Sequence, residues 1–279
     1  MAAWIYATFL ALVQGLTEFL PVSSSGHLVI SGRILGGHEP GVVYSVLLHL
    51  ATLFAIIVYY RRDLRLLAGD LGRVPGQLSE LGFSVKAIGR AYAENDGLRM
   101  GWLVALGTIP ALVSGILFNE HLEAAFMDTR AAGGFLLVTG VLLLATCRLR
   151  PGEKLLSGFT WWMALAIGVA QAAAMLPGIS RSGATIVIAL LLGLERELAV
   201  RYSLLLSIPA IIAANTWEIA ANGLEFGVPL SSALVGMVVA FLVGLWALRF
   251  LVRMTCNGRL QYFADYCFGL GIGILLTVS

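Results

Sequence analysis

The chain has 279 residues, of which 59% are hydrophobic and only 12% are charged, and its mean hydropathy is +0.89. Soluble domains carry roughly a quarter charged residues, so a soluble core of this size cannot hide so much apolar chain, whereas lipid can solvate it. The net charge of +2 is too small to indicate a nucleic-acid partner. The three cysteines, Cys147, Cys256 and Cys267, lack the spacing of a metal site or a disulfide framework.

Long uncharged runs occur from one end of the chain to the other. Four of them hold 17 to 21 residues each: 41–60, 101–119, 131–147 and 228–248. About 20 helical residues cross ~30 Å of hydrocarbon, and helices are the default because lipid satisfies no backbone hydrogen bond. The sequence therefore predicts an all-α polytopic membrane protein with a single membrane domain over residues 1–279. In chain order, the apolar segments are 2–14, 16–20 with 27–36, 41–60, 100–118, 132–148, 160–176, 183–194, 201–220, 228–250 and 261–278.

Two of these stretches are interrupted by proline and glycine. The apolar segments on either side of Pro21 are short, and so are those on either side of Pro177 and Gly178. Short pairs broken in this way are typical of re-entrant hairpins, which dip into the membrane and return with their irregular backbone buried in protein. We expect one re-entrant helical hairpin in each half of the chain.

The interrupted stretches also repeat one another. Glutamine, Leu-Pro, a serine cluster and glycine recur in order, and the glutamine and the glycine are twelve positions apart in both copies. Each copy is followed by three apolar segments. Because three crossings are an odd number, the second copy would be upside down, which is an inverted-topology repeat with its site near the membrane midplane. The predicted repeats are residues 1–150, with the Gln14–His27 motif, and residues 151–279, with the Pro177–Thr185 motif.

The connections between the apolar segments differ in charge. Those at 61–99, 148–159 and 249–260 are basic, whereas 119–131 has one arginine and 221–227 has no basic residue. The positive-inside rule predicts that the three basic connections are cytoplasmic. The expected location is the plasma (inner) membrane, crossed several times.

The first motif places polar side chains inside apolar chain. Gln14 and Glu18 are four positions apart and share one helix face. An unpaired carboxylate is expensive in a membrane, so Glu18 is a functional candidate; a helix-end residue that faces lipid headgroups is the alternative. Pro21 ends the helix, and the serines at 23–25 supply hydroxyls and backbone N–H groups at the start of the next one. Such an arrangement suits an anion, although a serine run before a helix can also be simple N-capping.

The second motif adds a cation. Its two glycines permit turns and close backbone approach. Arg181 is the only basic residue between Lys154 and Arg196. A buried guanidinium needs an anion, and its planar fork suits phosphate oxygens. An internal salt bridge with Glu18 is the alternative, and such a bridge could give way to phosphate on binding.

Together the motifs offer a carboxylate, an imidazole, several hydroxyls and a guanidinium, as a phosphoryl-transfer site would. Such a site needs a nucleophile, a proton shuttle, a charge clamp and often a divalent metal. Spacing leaves the attacking residue open among Ser23, Ser24, Ser25 and His27. The main rival to such an enzyme is a transporter or flippase for a phosphorylated lipid, because inverted repeats with paired hairpins are a transporter architecture. A membrane scaffold without chemistry is a weaker rival, because it would not require a buried carboxylate and a buried arginine.

The two motifs are similar to the signature motifs of the undecaprenyl-diphosphate phosphatases, also called bacitracin-resistance proteins. The residues that carry the resemblance are Gln14-x-x-x-Glu18 with Pro21-Val-Ser-Ser-Ser-Gly-His27, and Pro177-Gly-x-Ser-Arg-Ser-x-x-Thr185. The resemblance covers essentially the full length. It implies hydrolysis of undecaprenyl diphosphate to undecaprenyl phosphate and inorganic phosphate, which recycles the lipid carrier of cell-wall (peptidoglycan) synthesis and confers bacitracin resistance.

The same resemblance implies roles position by position. Ser24 would be the nucleophile, Glu18 a metal ligand or base, His27 a proton shuttle or phosphate ligand, and Arg181 the clamp on the diphosphate. The substrate-binding set would be Ser23, Ser25, Gly178, Ser180, Ser182, Gly183 and Thr185. The family has Glu or Gln at its first acidic position, so Gln14 leaves Glu18 as the main carboxylate ligand of a divalent metal, Mg²⁺ or Ca²⁺.

The expected partners are the bilayer and a polyprenyl diphosphate lipid. A homodimer is possible, and the sequence does not decide the oligomeric state. Two pairs of small residues, Gly101 with Ala105 and Gly236 with Ala240, could serve a dimer face, but internal helix packing is the favoured interpretation.

Overall fold

A computed structural model describes residues 3–34, 41–81, 92, 94–150, 152–224 and 227–278. Within these residues the regular structure consists of twelve α-helices and two 3-10 turns, with one isolated bridge between Lys154 and Leu194. The predicted all-α fold is confirmed. The helices are α1 (Ala3–Thr17), α2 (Ser24–Ile34), α3 (Val42–Tyr59), α4 (Arg61–Leu81), α5 (Asp96–Leu117), α6 (Asn119–Met127), α7 (Thr129–Ala145), α8 (Trp161–Ala173), α9 (Arg181–Leu191), α10 (Arg196–Asn222), α11 (Leu230–Cys256) and α12 (Tyr262–Thr277).

Five helices in the described part of the chain are long and apolar enough to cross a membrane. They are α3, α5, α7 with the 3-10 turn that continues it, α10 and α11. The chain is therefore a polytopic membrane protein, as its apolar runs predicted. The sixth predicted span, 261–278, forms α12, which has 16 residues and is shorter than the other five. α10 and α11 have 27 residues each and extend beyond the apolar segments predicted for them.

The connection predicted at 61–99 is partly helical. α4 begins at Arg61, directly after α3. Its frequent charged and polar residues break any apolar run, so hydropathy alone could not identify it. The backbone N–H of Gly97 donates to the Asp70 carboxylate at 2.9 Å, which joins α4 to the first turn of α5. Some residues of the predicted segments and connections lie outside the described part of the chain: 2, 35, 36, 82–91, 93, 151, 225 and 226.

Helices from the two halves of the chain interleave. α1 packs along α11, and α8 packs along α5. α3 contacts α10 and α11, and the last helices of the two halves, α7 and α12, pair with each other. The short helices α1 and α8, which precede Pro21 and Pro177, therefore each lie against a long helix of the other half. The main hydrophobic core draws on both halves, with Phe19, Leu103, Tyr202 and Leu248 among its fully buried members.

Small residues allow this close packing. Gly15 in α1 lies against the backbone of Ala240 in α11, and Gly168 in α8 lies against the backbone of Gly107 in α5. A side chain at any of these glycines would force the paired helices apart. The small residues noted in the sequence have internal partners too: Gly101 lies against Leu67, and Gly236 against Tyr44.

Candidate active site

The first hairpin turn connects α1 to α2. α1 ends at Thr17, and a turn that contains Pro21 leads to Ser23, whose φ is 68°. A positive φ is uncommon for a residue with a Cβ, and such conformations cluster at functional sites. The Ser23 hydroxyl accepts a hydrogen bond from the backbone N–H of Gly26 at 3.2 Å, and so caps α2. Ser25 Oγ lies 3.2 Å from Ser23 Oγ.

The second hairpin turn connects α8 to α9 in the same manner. Gly178 has a φ of 102°, which glycine adopts without strain. Ser180 caps α9, because its hydroxyl accepts from the backbone N–H of Gly183 at 3.1 Å. Ser182 Oγ lies 3.3 Å from Ser180 Oγ. In each turn, therefore, a serine hydroxyl caps the helix that follows by accepting from the backbone N–H three residues later.

The two turns touch each other. The backbone N–H of Gly178 donates to Ser23 Oγ at 3.0 Å, and a Cβ added to Gly26 would lie 3.2 Å from the Gly178 Cα. Any side chain at Gly26 would press against the other turn. The contact brings the amino-terminal ends of α2 and α9 together, and helix amino-terminal ends favour anions.

A threonine that the sequence did not single out holds the second turn. Thr139 in α7 donates through Oγ1 to the Gly178 carbonyl at 2.8 Å and accepts from the Ser180 backbone N–H at 3.0 Å. Its side chain is 1% exposed. The only sequence signal was a hydroxyl in a long apolar span, and such hydroxyls commonly bond to their own helix instead.

Glu18 connects Gln14 and Ser24 of the first motif to Arg181 of the second. One carboxylate oxygen, Oε1, accepts from Arg181 Nη2 at 2.7 Å. The other, Oε2, accepts from Ser24 Oγ at 2.8 Å and from Gln14 Nε2 at 3.1 Å. The Glu18 side chain is only 6% exposed. The salt bridge between Glu18 and Arg181, left open by the sequence, is therefore present.

Two buried atoms in this cluster have no hydrogen-bond partner in the described part of the chain. They are Nη1 of Arg181 and Oε1 of Gln14. Leaving a buried polar atom unpaired costs about 1–3 kcal/mol, and more when the group is charged. Both atoms belong to residues that bond to Glu18, Arg181 to Oε1 and Gln14 to Oε2. The unpaired Arg181 N–H could therefore donate to an anion, and the unpaired Gln14 oxygen could bind a cation.

Ser24 differs from the other candidate nucleophiles in its contacts. Among Ser23, Ser24, Ser25 and His27, it is the residue whose side chain bonds to a carboxylate in the structure. It is also partly exposed, at the first position of α2. A hydroxyl that bonds to a base, with the base oriented by a third group, is the arrangement of an activated nucleophile.

His27 lies beside this cluster with both ring nitrogens occupied. Nδ1 lies 2.7 Å from the Ser23 carbonyl oxygen, and Nε2 lies 2.6 Å from the hydroxyl of Tyr266 in α12. Neither of these contacts reaches Glu18 or Ser24. Tyr266 was not singled out from the sequence, since it belongs to neither motif.

The hydroxyls of the second motif are more deeply buried than those of the first. Ser180, Ser182 and Thr185 are 2%, 1% and 0% exposed. Thr185 donates to the Arg181 carbonyl at 2.7 Å, and its Oγ1 lies 2.5 Å from Ser203 Oγ in α10. These contacts fix the first turn of α9, which carries Arg181. Their predicted role as phosphate ligands remains a prediction.

An all-helical membrane protein with a serine, a carboxylate and an arginine joined in one hydrogen-bonded cluster has the groups of a membrane-embedded phosphoryl-transfer enzyme. The chain matches the family model of the bacitracin resistance protein BacA over residues 7–273. It is 40% identical to the undecaprenyl-diphosphatase of Desulfatibacillum aliphaticivorans, over 98% of each chain. It is also 40% identical to that of Desulfosudis oleivorans, over 99% of this chain and 98% of the relative. The chain belongs to the BacA family.

Proposed function

We propose that the protein hydrolyses undecaprenyl diphosphate to undecaprenyl phosphate and inorganic phosphate, which recycles the lipid carrier of cell-wall synthesis and supports bacitracin resistance. The observation that carries the proposal is the position of Glu18, which accepts from Ser24 with one oxygen and from Arg181 with the other. A nucleophile, its base and a cation for phosphate meet where the two hairpin turns touch. Relatives that align over nearly the whole chain bear the name of this activity.

The first step is attack by Ser24. Its Oγ forms a bond to the terminal phosphorus while Glu18 Oε2, 2.8 Å away, takes the hydroxyl proton. The bond from that phosphorus to the bridging oxygen breaks, and undecaprenyl phosphate leaves with the electron pair. Glu18 then passes its proton to the leaving phosphate or to water. Ser24 is left as a phosphoserine.

The second step is hydrolysis of the phosphoserine. Glu18 takes a proton from a water molecule as the water oxygen attacks phosphorus. The bond between phosphorus and Ser24 Oγ breaks, inorganic phosphate leaves, and Glu18 returns the proton to Oγ. The two steps together consume one water and regenerate the free serine.

Arg181 binds the phosphate charge in this mechanism. Its Nη2 is held by Glu18 at 2.7 Å, so the guanidinium is oriented before substrate enters. Its buried Nη1 has no partner in the described residues and is free to donate to a phosphate oxygen. Arg181 therefore supports the transition state through a hydrogen bond that none of the described residues uses.

Glu18 and Gln14 fit a divalent metal shared with the substrate. Gln14 contributes a buried, unpaired amide oxygen beside the carboxylate, and Mg²⁺ is commonly held by one or two protein oxygens plus substrate phosphates. In the described residues, His, Cys, Asp and Glu do not gather in threes, so the substrate would supply several of the ligands. When bound, Mg²⁺ or Ca²⁺ would neutralise part of the diphosphate charge. EDTA is then expected to suppress hydrolysis.

The membrane arrangement is proposed as an inverted repeat, residues 1–150 and 151–279, each with a re-entrant hairpin and three spanning helices. The short helices beside each turn and the interleaved packing of the halves support it. The charge pattern supports a plasma-membrane orientation with 61–99, 148–159 and 249–260 cytoplasmic. In intact cells, an impermeant thiol reagent should label a cysteine at Glu120 and not one at Arg73. Labelling of Arg73→Cys would contradict this orientation.

The rival function is transport of a phosphorylated polyprenyl lipid, which paired hairpins would suit. A carrier needs an anion site, but it does not need a hydroxyl bonded to a buried carboxylate. The bond between Ser24 and Glu18 therefore favours hydrolysis.

The experiment is phosphate release from undecaprenyl diphosphate by the purified protein. Ser24→Ala should lose about 1000-fold or more in kcat, as expected for removal of a nucleophile. Ser25→Ala is the matched control, because Ser25 is the next residue and bonds to Ser23 instead of Glu18. Its rate should stay within about tenfold of wild type. Full activity in Ser24→Ala would reject the nucleophile.

A further inference from the structure

Tyr266 reaches the first hairpin turn from α12. Its hydroxyl lies 2.6 Å from His27 Nε2. The two rings are nearly parallel, with 4° between their planes and 5.6 Å between their centroids. Tyr266 is 49% exposed, so one part of its ring contacts the protein and the rest faces outward. Nothing in either sequence motif points to this residue.

The contacts of His27 determine its tautomer. The Ser23 carbonyl oxygen, 2.7 Å from Nδ1, can only accept, so Nδ1 carries a proton. In neutral His27 the lone pair is then on Nε2, and the Tyr266 hydroxyl donates to it. Both nitrogens are therefore held by the protein, one by the turn and one by α12.

A chain of hydrogen bonds leads from Tyr266 to the contact between the turns. His27 binds the carbonyl of Ser23, and Ser23 Oγ accepts from the backbone N–H of Gly178. Ser23 is also the non-glycine residue with a positive φ in the described part of the chain, so its conformation needs support from its neighbours. Ser24 follows it directly and depends on that conformation to reach Glu18.

We propose that Tyr266 is a positioning residue for catalysis. Its hydroxyl holds His27 in the Nδ1–H tautomer, and His27 in turn holds the Ser23–Ser24 turn in the conformation that places Ser24 Oγ on Glu18. The inference rests on the proposed role of Ser24 as nucleophile. Tyr266 itself touches neither substrate nor Glu18 in this account, so its effect is transmitted through His27.

Tyr266→Phe tests the inference, because it removes the hydroxyl and keeps the ring and its packing. We expect kcat to fall about fivefold, as for the loss of one hydrogen bond, with KM changed less than kcat. Tyr262→Phe is the matched control, one helical turn earlier in α12 and 61% exposed, and it should retain the wild-type rate. In a His27→Gln background, Tyr266→Phe should have no additional effect, since the residue through which it acts is missing.

A spectroscopic measurement separates positioning from general loss of structure. With ¹⁵N-labelled histidine, the His27 signal, assigned by its loss in His27→Gln, should report the Nδ1–H tautomer in the wild type and a mixture of tautomers in Tyr266→Phe. A wild-type kcat and tautomer in Tyr266→Phe, or an equal loss in the His27→Gln background, would overturn the inference. If either outcome is found and Ser24→Ala is inactive, only the role of Tyr266 is rejected. If Ser24→Ala is active, the proposed mechanism itself is rejected.

Discussion

The two hairpin turns use the same serine cap. Ser23, nine positions after Gln14, caps α2, and Ser180, nine positions after Gln171, caps α9. The hydrogen bonds from backbone N–H to the cap hydroxyl are 3.2 and 3.1 Å long. Each cap hydroxyl also lies near that of the serine two positions later, at 3.2 and 3.3 Å. The hydrogen-bonded frame of the serine cap is thus the same in both turns, although the φ of the cap residue is 68° at Ser23 and −74° at Ser180. The residue that each frame presents at the first position of its helix is different: Ser24 in one, Arg181 in the other.

The other chemical positions differ between the turns as well. Counted from the glutamines, Glu18 corresponds to Met175 and His27 to Ala184. The first turn therefore has the proposed nucleophile and base without a cation, and the second has the cation without a carboxylate. Neither turn could carry the proposed reaction alone, so the contact between them is what makes the site.

The two glutamines show the same division. Gln14 donates to Glu18 at 3.1 Å, whereas neither amide atom of buried Gln171 has a partner in the described residues. A methionine sulfur is a weak acceptor, so Met175 cannot replace the carboxylate that Gln14 uses.

Each turn is also held by the last helix of the other half. Thr139 in α7 binds the second turn, and Tyr266 in α12 binds His27 of the first. The supports differ in chemistry. Thr139 bonds to backbone and fixes a turn that carries no base, while Tyr266 bonds to a side chain that can change its protonation. Because different residues support the two turns, a variant can affect one turn and leave the other intact.

The largest effect in this comparison is expected from removal of the cation. Arg181→Ala should lower kcat about 1000-fold, the order seen when a charge-stabilising group is lost from a transition state. Arg181→Lys should recover part of the rate, because a lysine keeps the charge but loses the second donor that the guanidinium offers. The rate of phosphate release from undecaprenyl diphosphate measures kcat for both variants. Arg130→Ala, at an exposed arginine in α7, is the control, and full activity in Arg181→Ala would remove the clamp from the mechanism.

A smaller effect is expected from a second carboxylate in the first turn. Gln14→Glu should raise the apparent affinity for Mg²⁺ about tenfold, because an anionic oxygen would replace the unpaired amide oxygen beside Glu18. The rate and the midpoint of thermal unfolding, both titrated with Mg²⁺, measure this change. Gln171→Glu is the comparison in the second turn and should leave the Mg²⁺ dependence as it is. An unchanged Mg²⁺ titration in Gln14→Glu would place the metal elsewhere.

The smallest effect on rate is expected from the support of the second turn. Thr139→Val keeps the shape of the side chain but leaves the Gly178 carbonyl and the Ser180 N–H without their partner. It should lower the free energy of unfolding by about 1–3 kcal/mol and reduce kcat a few-fold. Thr277→Val, whose hydroxyl bonds only within its own helix, should alter neither quantity. Equal destabilisation by both variants would argue against a special role for Thr139.

The sequence predicted most helices and both motifs because these depend on local patterns. Apolar runs of span length, Pro21 and the serine caps act over a few residues. The cost of burying each charge alone raised the bridge between Glu18 and Arg181 only as an alternative to phosphate binding. It missed α4, whose polar residues hide it from hydropathy. It also missed Thr139 and Tyr266, since their roles depend on contacts 39 to 41 and 239 residues away in the chain. Spacing left the nucleophile open among four candidates and the family resemblance favoured Ser24; the structure adds its distance to Glu18.

In the proposed mechanism, Ser24 carries the phosphoryl group between the two steps. The direct measurement uses undecaprenyl diphosphate labelled in its terminal phosphate, a quench within the first turnover, and mapping of the labelled residue under both acid and alkaline conditions. We predict label on Ser24 in the wild type and in Ser25→Ala, and none in Ser24→Ala. Label on Ser23, Ser25 or His27, or wild-type turnover by Ser24→Ala, would contradict the account.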